Sequence, residues 1–153
     1  MTIPTTDWFL CAVDDAAELA AAPPDELVDR WRSVSLPHVL ETEMLALAKL
    51  LLGPAAVYDP IIVYPESADA EDDVTHEAFE GGTYVTLVPD AFVAALACLD
   101  DASLEKLAPA WRANADELRS LRASEVASIL ATMRDFAALA RASRIDVLSV
   151  FEV

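Results

Sequence analysis

The spacing of apolar residues along the chain changes period several times, and each change marks an element. Residues 8–13 form a short apolar run without alternation, the pattern of a strand covered on both faces. Asp14 and Asp15 end that run and open a helix reaching about Ala22, with Asp15 and Glu18 at capping-box spacing. Pro23 and Pro24 break the chain, and Pro24 suits the first turn of a second helix. Leu27, Val28, Trp31 and Val34 then share one helical face, and residues 35–37 predict a further break. Leu40, Met44, Leu47, Ala48 and Leu51 line one side of a third helix, with Glu41 and Lys49 off it. Gly53 and Pro54 stop it in the expected order.

The second half repeats this alternation of periods. Residues 61–64 are β-branched and aromatic and lie between Pro60 and Pro65, which predicts a short strand at a sheet margin. Residues 83–88 have strand composition. Pro89 and Asp90 open a helix carrying Phe92, Val93, Leu96 and Leu99. Asp100 and Asp101 end it and cap another that carries Leu104, Leu107, Ala108 and Trp111, where Pro109 predicts a kink or a boundary. Ser124 is placed to cap the most regular helix, with Val126, Ile129, Leu130, Met133, Phe136, Ala137 and Ala140 on one stripe. Residues 145–151 are apolar on both alternating faces, so the chain ends in a strand inside a sheet.

The pattern predicts one α+β domain over residues 1–153, a small mixed sheet of about four strands packed by about six helices. The first and last strands have the most buried composition and are expected to pair at the centre. A chain of 153 residues buries enough surface to need no disulfide or metal.

Charge changes this picture more than composition does. The net charge is −17. Residues 1–105 hold 21 acids against 3 bases, a balance of −18, whereas residues 106–153 hold 6 acids and 7 bases. Residues 66–80 contain Glu66, Asp69, Glu71, Asp72, Asp73, Glu77 and Glu80 and no Lys or Arg, the composition of a long exposed loop. Nucleic acid and anionic membranes are excluded as partners, because both require basic patches. No apolar run approaches the roughly 18 residues of a membrane helix, and the N-terminus lacks a basic flank before its apolar run, which points to the cytoplasm.

Candidate chemistry is sparse. Ser103 and Lys106 have S-x-x-K spacing, but the accompanying motifs are absent and a capped helix start explains both residues. Cys11 and Cys98 each sit in an apolar run and predict buried, reduced thiols. His76 lies among the acids of residues 66–80, yet cation-loop spacing and its central glycine are missing. His38 falls in the predicted first turn of a helix with no orienting partner. Gly81 and Gly82 lack phosphate-loop spacing. Trp8 and Trp31 suit a core, and Trp111, beyond Pro109 and beside Arg112, is the candidate for an exposed anchor. No catalytic, cofactor-binding or metal-ligating set emerges.

The strand at Trp8, the helix ending in Leu51, Leu52 and Gly53, the helix opened by Val88, Pro89 and Asp90, the sequence Leu99, Asp100, Asp101, then Trp111, and the long helix before the last strand form a layout. It resembles the small uncharacterised bacterial YfbM-like family. That resemblance implies a small α+β fold without an established activity and with no catalytic residues to carry over. It also implies partner binding of the immunity-protein kind.

Together these features point to a non-enzymatic protein-interaction module, an immunity or inhibitor protein whose acids at 66–80 bind a basic partner such as a toxin. Two alternatives stand beside it. One is a small-ligand-binding protein or enzyme with an unrecognised pocket, expected near Tyr64, His76 or Tyr84. The other is a structural homo-oligomer using an apolar face around Trp31 or Trp111.

Overall fold

The computed structural model describes residues 3–65 and 83–152. Among them, five strands form one sheet: β1 (Thr5–Leu10), β2 (Ser33–Pro37), β3 (Ile61–Tyr64), β4 (Thr83–Leu87) and β5 (Val147–Glu152). The spatial order is β2-β1-β5-β4-β3. Every neighbouring pair is antiparallel, so the sheet is not mixed. The first and last strands of the chain lie side by side as expected, and β5 holds the centre. Strand β3 is an edge, in keeping with the prolines that flank it.

Strand β2 is the element the sequence pattern hides. Val34 shares helical spacing with Leu27 and Trp31, but the preceding helix ends at Arg30. Ser33, Val34, Ser35 and Leu36 alternate polar and apolar, and pairing with β1 satisfies that period of two, with Leu36 opposite Thr6 and Val34 opposite Trp8. Pairing to a central strand thus overrides a helical face that would have been one turn longer.

Among the described residues, six helices cover the sheet unequally. Helices α1 (Ala16–Ala21) and α2 (Pro24–Arg30) lie on one face. There they close a small core of Phe9, Cys11, Ala16, Leu19, Val85 and Leu148, with Leu27 and Trp31 packed against it. Helices α3 (Glu41–Leu52), α4 (Asp90–Ala97), α5 (Asp101–Asn114) and α6 (Ala123–Ser143) form a thick layer on the other face. Its core includes Trp8, Leu36, Met44, Phe92, Trp111, Leu118, Leu130 and Met133. Alternation along β1 sends Trp8 and Leu10 to the thick layer and Phe9 and Cys11 to the thin one.

Several local expectations change in the structure. Trp111 is fully buried, and its indole N–H donates to the Glu43 carbonyl at 2.8 Å. Pro109 does not interrupt α5, which continues to Asn114. Asp100 caps that helix by accepting from the Ser103 N–H at 2.7 Å. Ser124 does not cap α6; the Glu125 carboxylate instead reaches back to the Arg122 N–H at 3.0 Å. Asp15 makes no side-chain cap for α1. Cys98 is exposed, while Cys11 is buried and unpaired. His38 precedes α3 in a left-handed turn, at φ 66°, instead of lying in its first turn. Gly53 ends α3 at φ 111°, a conformation that disfavours any side chain.

No helix among the described residues is long and apolar enough to cross a membrane.

Candidate functional site

Two features of this scaffold can meet other molecules. The first is the acidic outer surface of α1 and α2. Asp14, Asp15, Glu18, Asp25, Glu26 and Asp29 are all exposed there. The single ion pair among them joins Glu18 to Arg30 at 3.0 Å, and an exposed pair of this kind contributes little. Arg30 also stacks over Trp31, with its guanidinium carbon 4.4 Å from the ring centre. Val28 stands 66% exposed on the same helix. The carboxylates close around Cys11 from outside. Burial first, and then Asp15, Glu18 and Asp146, push its thiol up to about 11, against a weaker opposing effect of Arg30. That thiol is therefore held in its unreactive neutral form.

Five arginines of the thick layer are engaged away from this field. Arg119 pairs with Asp116 at 3.1 Å, Arg122 with Glu125 at 3.2 Å, and Arg134 with Asp101 at 2.7 Å and Asp135 at 3.1 Å. Arg141 lies 3.6 Å from Asp90. Arg112 donates to the carbonyls of Leu121 and Arg119. All of these partners belong to the thick layer, on the opposite side of the sheet from α1 and α2.

The second feature is a cavity of about 360 Å³ under the thick layer. Its floor is the sheet, through Thr6, Thr86 and Ser149; its wall is the start of α3, through Leu40, Glu41 and Met44. Tyr58 and Pro60 complete it from the segment before β3. Thr86 and Ser149 are directly paired across β4 and β5, and Ser149 pairs in turn with Trp8 of β1. The three side chains make a transverse polar row in an otherwise apolar face. Thr86 is 4% and Ser149 7% exposed. Neither hydroxyl meets a hydrogen-bond partner among the described residues, and the buried Trp8 indole N–H has none there either.

The polar groups around the rim are better satisfied. The Thr6 hydroxyl donates to the Val39 carbonyl. The Glu43 carboxylate, 2% exposed by residue, accepts from the Leu40 N–H at 3.1 Å and from the Thr42 hydroxyl at 3.0 Å. Tyr58 packs edge-on against Phe92, with ring centres 5.2 Å apart. Burial, and secondarily the Glu41 charge, raise its phenol above the usual range, so it is a hydrogen-bond donor at neutral pH.

The acids Glu66, Asp69, Glu71, Asp72, Asp73, Glu77 and Glu80, together with His76, lie outside the described residues. Tyr64 packs against the small core of the thin layer, away from the hydroxyl-lined cavity. Ser103 and Lys106 are exposed at the capped start of α5. His38 Nδ1 lies 3.5 Å from the Glu117 carboxylate without forming an aligned hydrogen bond. Among the described residues no group of three His, Cys, Asp or Glu side chains is placed to hold a metal.

Sequence reasoning passed over Thr86, Ser149 and Tyr58. Ser149 carried a usable signal, because it is a lone hydroxyl inside a strand read as apolar on both faces. No family model matches the chain, and no curated protein and no solved structure is similar to it.

Proposed function

We propose that the chain is a non-enzymatic protein-interaction module whose acidic side receives a basic protein, in the manner of an immunity or inhibitor protein meeting a toxin. The observation that carries this is the group of exposed carboxylates on α1 and α2. Arg112, Arg119, Arg122, Arg134 and Arg141 are engaged within the thick layer, while the carboxylates of α1 and α2 stand exposed with one cation paired to them. Residues 66–80 add seven acids without a base. A one-signed surface accelerates encounter with an oppositely charged partner and disfavours like-charged competitors. Val28 and Trp31 supply apolar area beside the carboxylates, which long-range attraction alone does not provide. The YfbM-like layout and the unpaired thiols support the same reading, with the encounter in the cytoplasm.

The test compares the chain with a variant carrying Asp25→Lys, Glu26→Lys and Asp29→Lys, against a panel of small basic proteins that includes nuclease toxins. Binding to at least one member is expected, with association slowing steeply between about 0.05 M and about 0.5 M salt. The variant should associate at least about tenfold more slowly at low salt. A partner bound equally fast at both salt concentrations, or equally by both proteins, removes the electrostatic basis of the proposal.

A further inference from the structure

Protein interiors rarely leave hydroxyl and indole groups unpaired, because each such group costs about 1–3 kcal/mol. Here the buried Trp8 indole N–H is one such group, and the Ser149 and Thr86 hydroxyls, without a hydrogen bond to any described residue, continue its row across neighbouring strands. Simple core design would place Val or Ala at the two hydroxyl positions. The two hydroxyls instead face the cavity between the sheet and the start of α3. Its volume of about 360 Å³ falls at the small end of ligand sites, which span about 300–1,000 Å³. Met44, Leu40 and Pro60 give the cavity apolar walls, and Tyr58 and Thr86 give it polar points.

The charges at the rim select the ligand. Among the described residues, no Lys, Arg or His lines the cavity. The start of α3 would by itself attract an anion, since its first N–H groups carry partial positive charge. That end is already occupied: the Glu43 carboxylate accepts from the Leu40 N–H, and Glu41 brings a second carboxylate to the cavity wall. Glu41 is exposed and is close enough to Tyr58 to disfavour its phenolate. An arriving anion would meet negative potential with no cation to hold it, whereas an ammonium would find a carboxylate and a phenol oxygen.

We propose that this cavity binds a small organic amine, its ammonium at Glu41 and Tyr58, its apolar body on Met44 and Leu40, and a hydroxyl at its inner end against the hydroxyls of Ser149 and Thr86. The site lies on the opposite face of the sheet from the acidic surface of α1 and α2, so it is independent of the proposed protein partner and fails or succeeds separately from it.

A matched set of probes tests this: tyramine, 2-(4-hydroxyphenyl)ethanol and 3-(4-hydroxyphenyl)propionate, whose shared phenol reaches the inner hydroxyls, titrated into the full chain and followed by backbone amide shifts. The amine is expected to move the amides of Thr86 and Ser149 and to bind at least about tenfold more tightly than the alcohol, with the carboxylate weakest. Glu41→Gln should abolish the preference for the amine while leaving the alcohol's affinity unchanged. Thr86→Val with Ser149→Ala should weaken amine and alcohol alike, and a retained or raised Tm in that variant shows that the fold survives. The proposal is overturned if none of the probes shifts Thr86 or Ser149. Equal binding of amine and alcohol overturns it too, as does tightest binding by the carboxylate.

Discussion

The two faces of the sheet divide the work of the molecule. One carries four helices, both fully buried tryptophans and arginines engaged by their own neighbours. The other carries two short helices over a small core, with exposed carboxylates that meet little positive charge. Burying apolar area dominates folding free energy, and unpaired surface charge opposes compaction. A fold that concentrates its stability on one side can tolerate a one-signed surface on the other. The thin layer is therefore where charge can serve recognition instead of cohesion.

The sharpest way to break this comparison is to remove one large side chain from each layer. Trp111→Ala deletes a fully buried ring and leaves the Glu43 carbonyl without its donor. It should destabilise by about 3–5 kcal/mol. Leu19→Ala on α1 should cost about 2–3 kcal/mol, at the low end for such a change, because a six-residue helix over a small core can settle into the space. Urea unfolding of both variants measures the difference. If Leu19→Ala proves equal to or costlier than Trp111→Ala, the thick layer is not the principal source of stability.

The same asymmetry governs what the sequence disclosed. Long amphipathic stripes identified α3 and α6, and the prolines around residues 61–64 identified an edge strand, because these signals are local and the structure obeys them. Strand β2 was hidden, since Val34 satisfies a helical stripe and an alternating strand equally well and only pairing with β1 chooses between them. Its position beyond Pro109 and beside Arg112 predicts an exposed Trp111. Yet α5 runs through that proline, and the indole finds its acceptor on Glu43, 68 residues away. The cavity was hidden for a similar reason. Ser149 and Thr86 are 63 positions apart in the chain and become neighbours only through the β4–β5 register. The uneven charge was plain from composition, but the gathering of carboxylates over the thin layer depends on which face each helix takes.

A smaller effect tests the thin layer through its chemistry. Cys11 and Cys98 are both free, but only Cys98 is exposed. The Cys11 thiol, pushed from 9.0 up to about 11, holds about a hundredfold less thiolate at pH 8 than an unshifted thiol would. Alkylation of the native protein at pH 8 should modify Cys98 first. Cys11 should lag by at least about a hundredfold and catch up only in denaturant. Mass spectrometry of tryptic peptides reads both sites. Equal rates in the native state would show that α1 opens readily and that the carboxylates do not enclose the thiol.

The smallest effect lies in the pH response of the thick layer. Asp100 accepts the Ser103 N–H, and that bond is the largest cause of its lowered pKa. A carboxyl with a lowered folded-state pKa stabilises fully above its unfolded value, and the contribution disappears as pH falls through the folded value. Asp100→Ala should therefore be less stable than the parent chain at neutral pH, and the gap should close in acid, below the ordinary carboxylate range. Asp25, exposed on α2 and without a hydrogen bond from any described residue, supplies the control on the other face. Asp25→Asn should leave the urea midpoint unchanged at neutral pH. A gap for Asp100→Ala that persists undiminished in acid would mean that this residue stabilises α5 by something other than its carboxylate. The capping contrast between the two faces would then fall, even with the packing contrast intact.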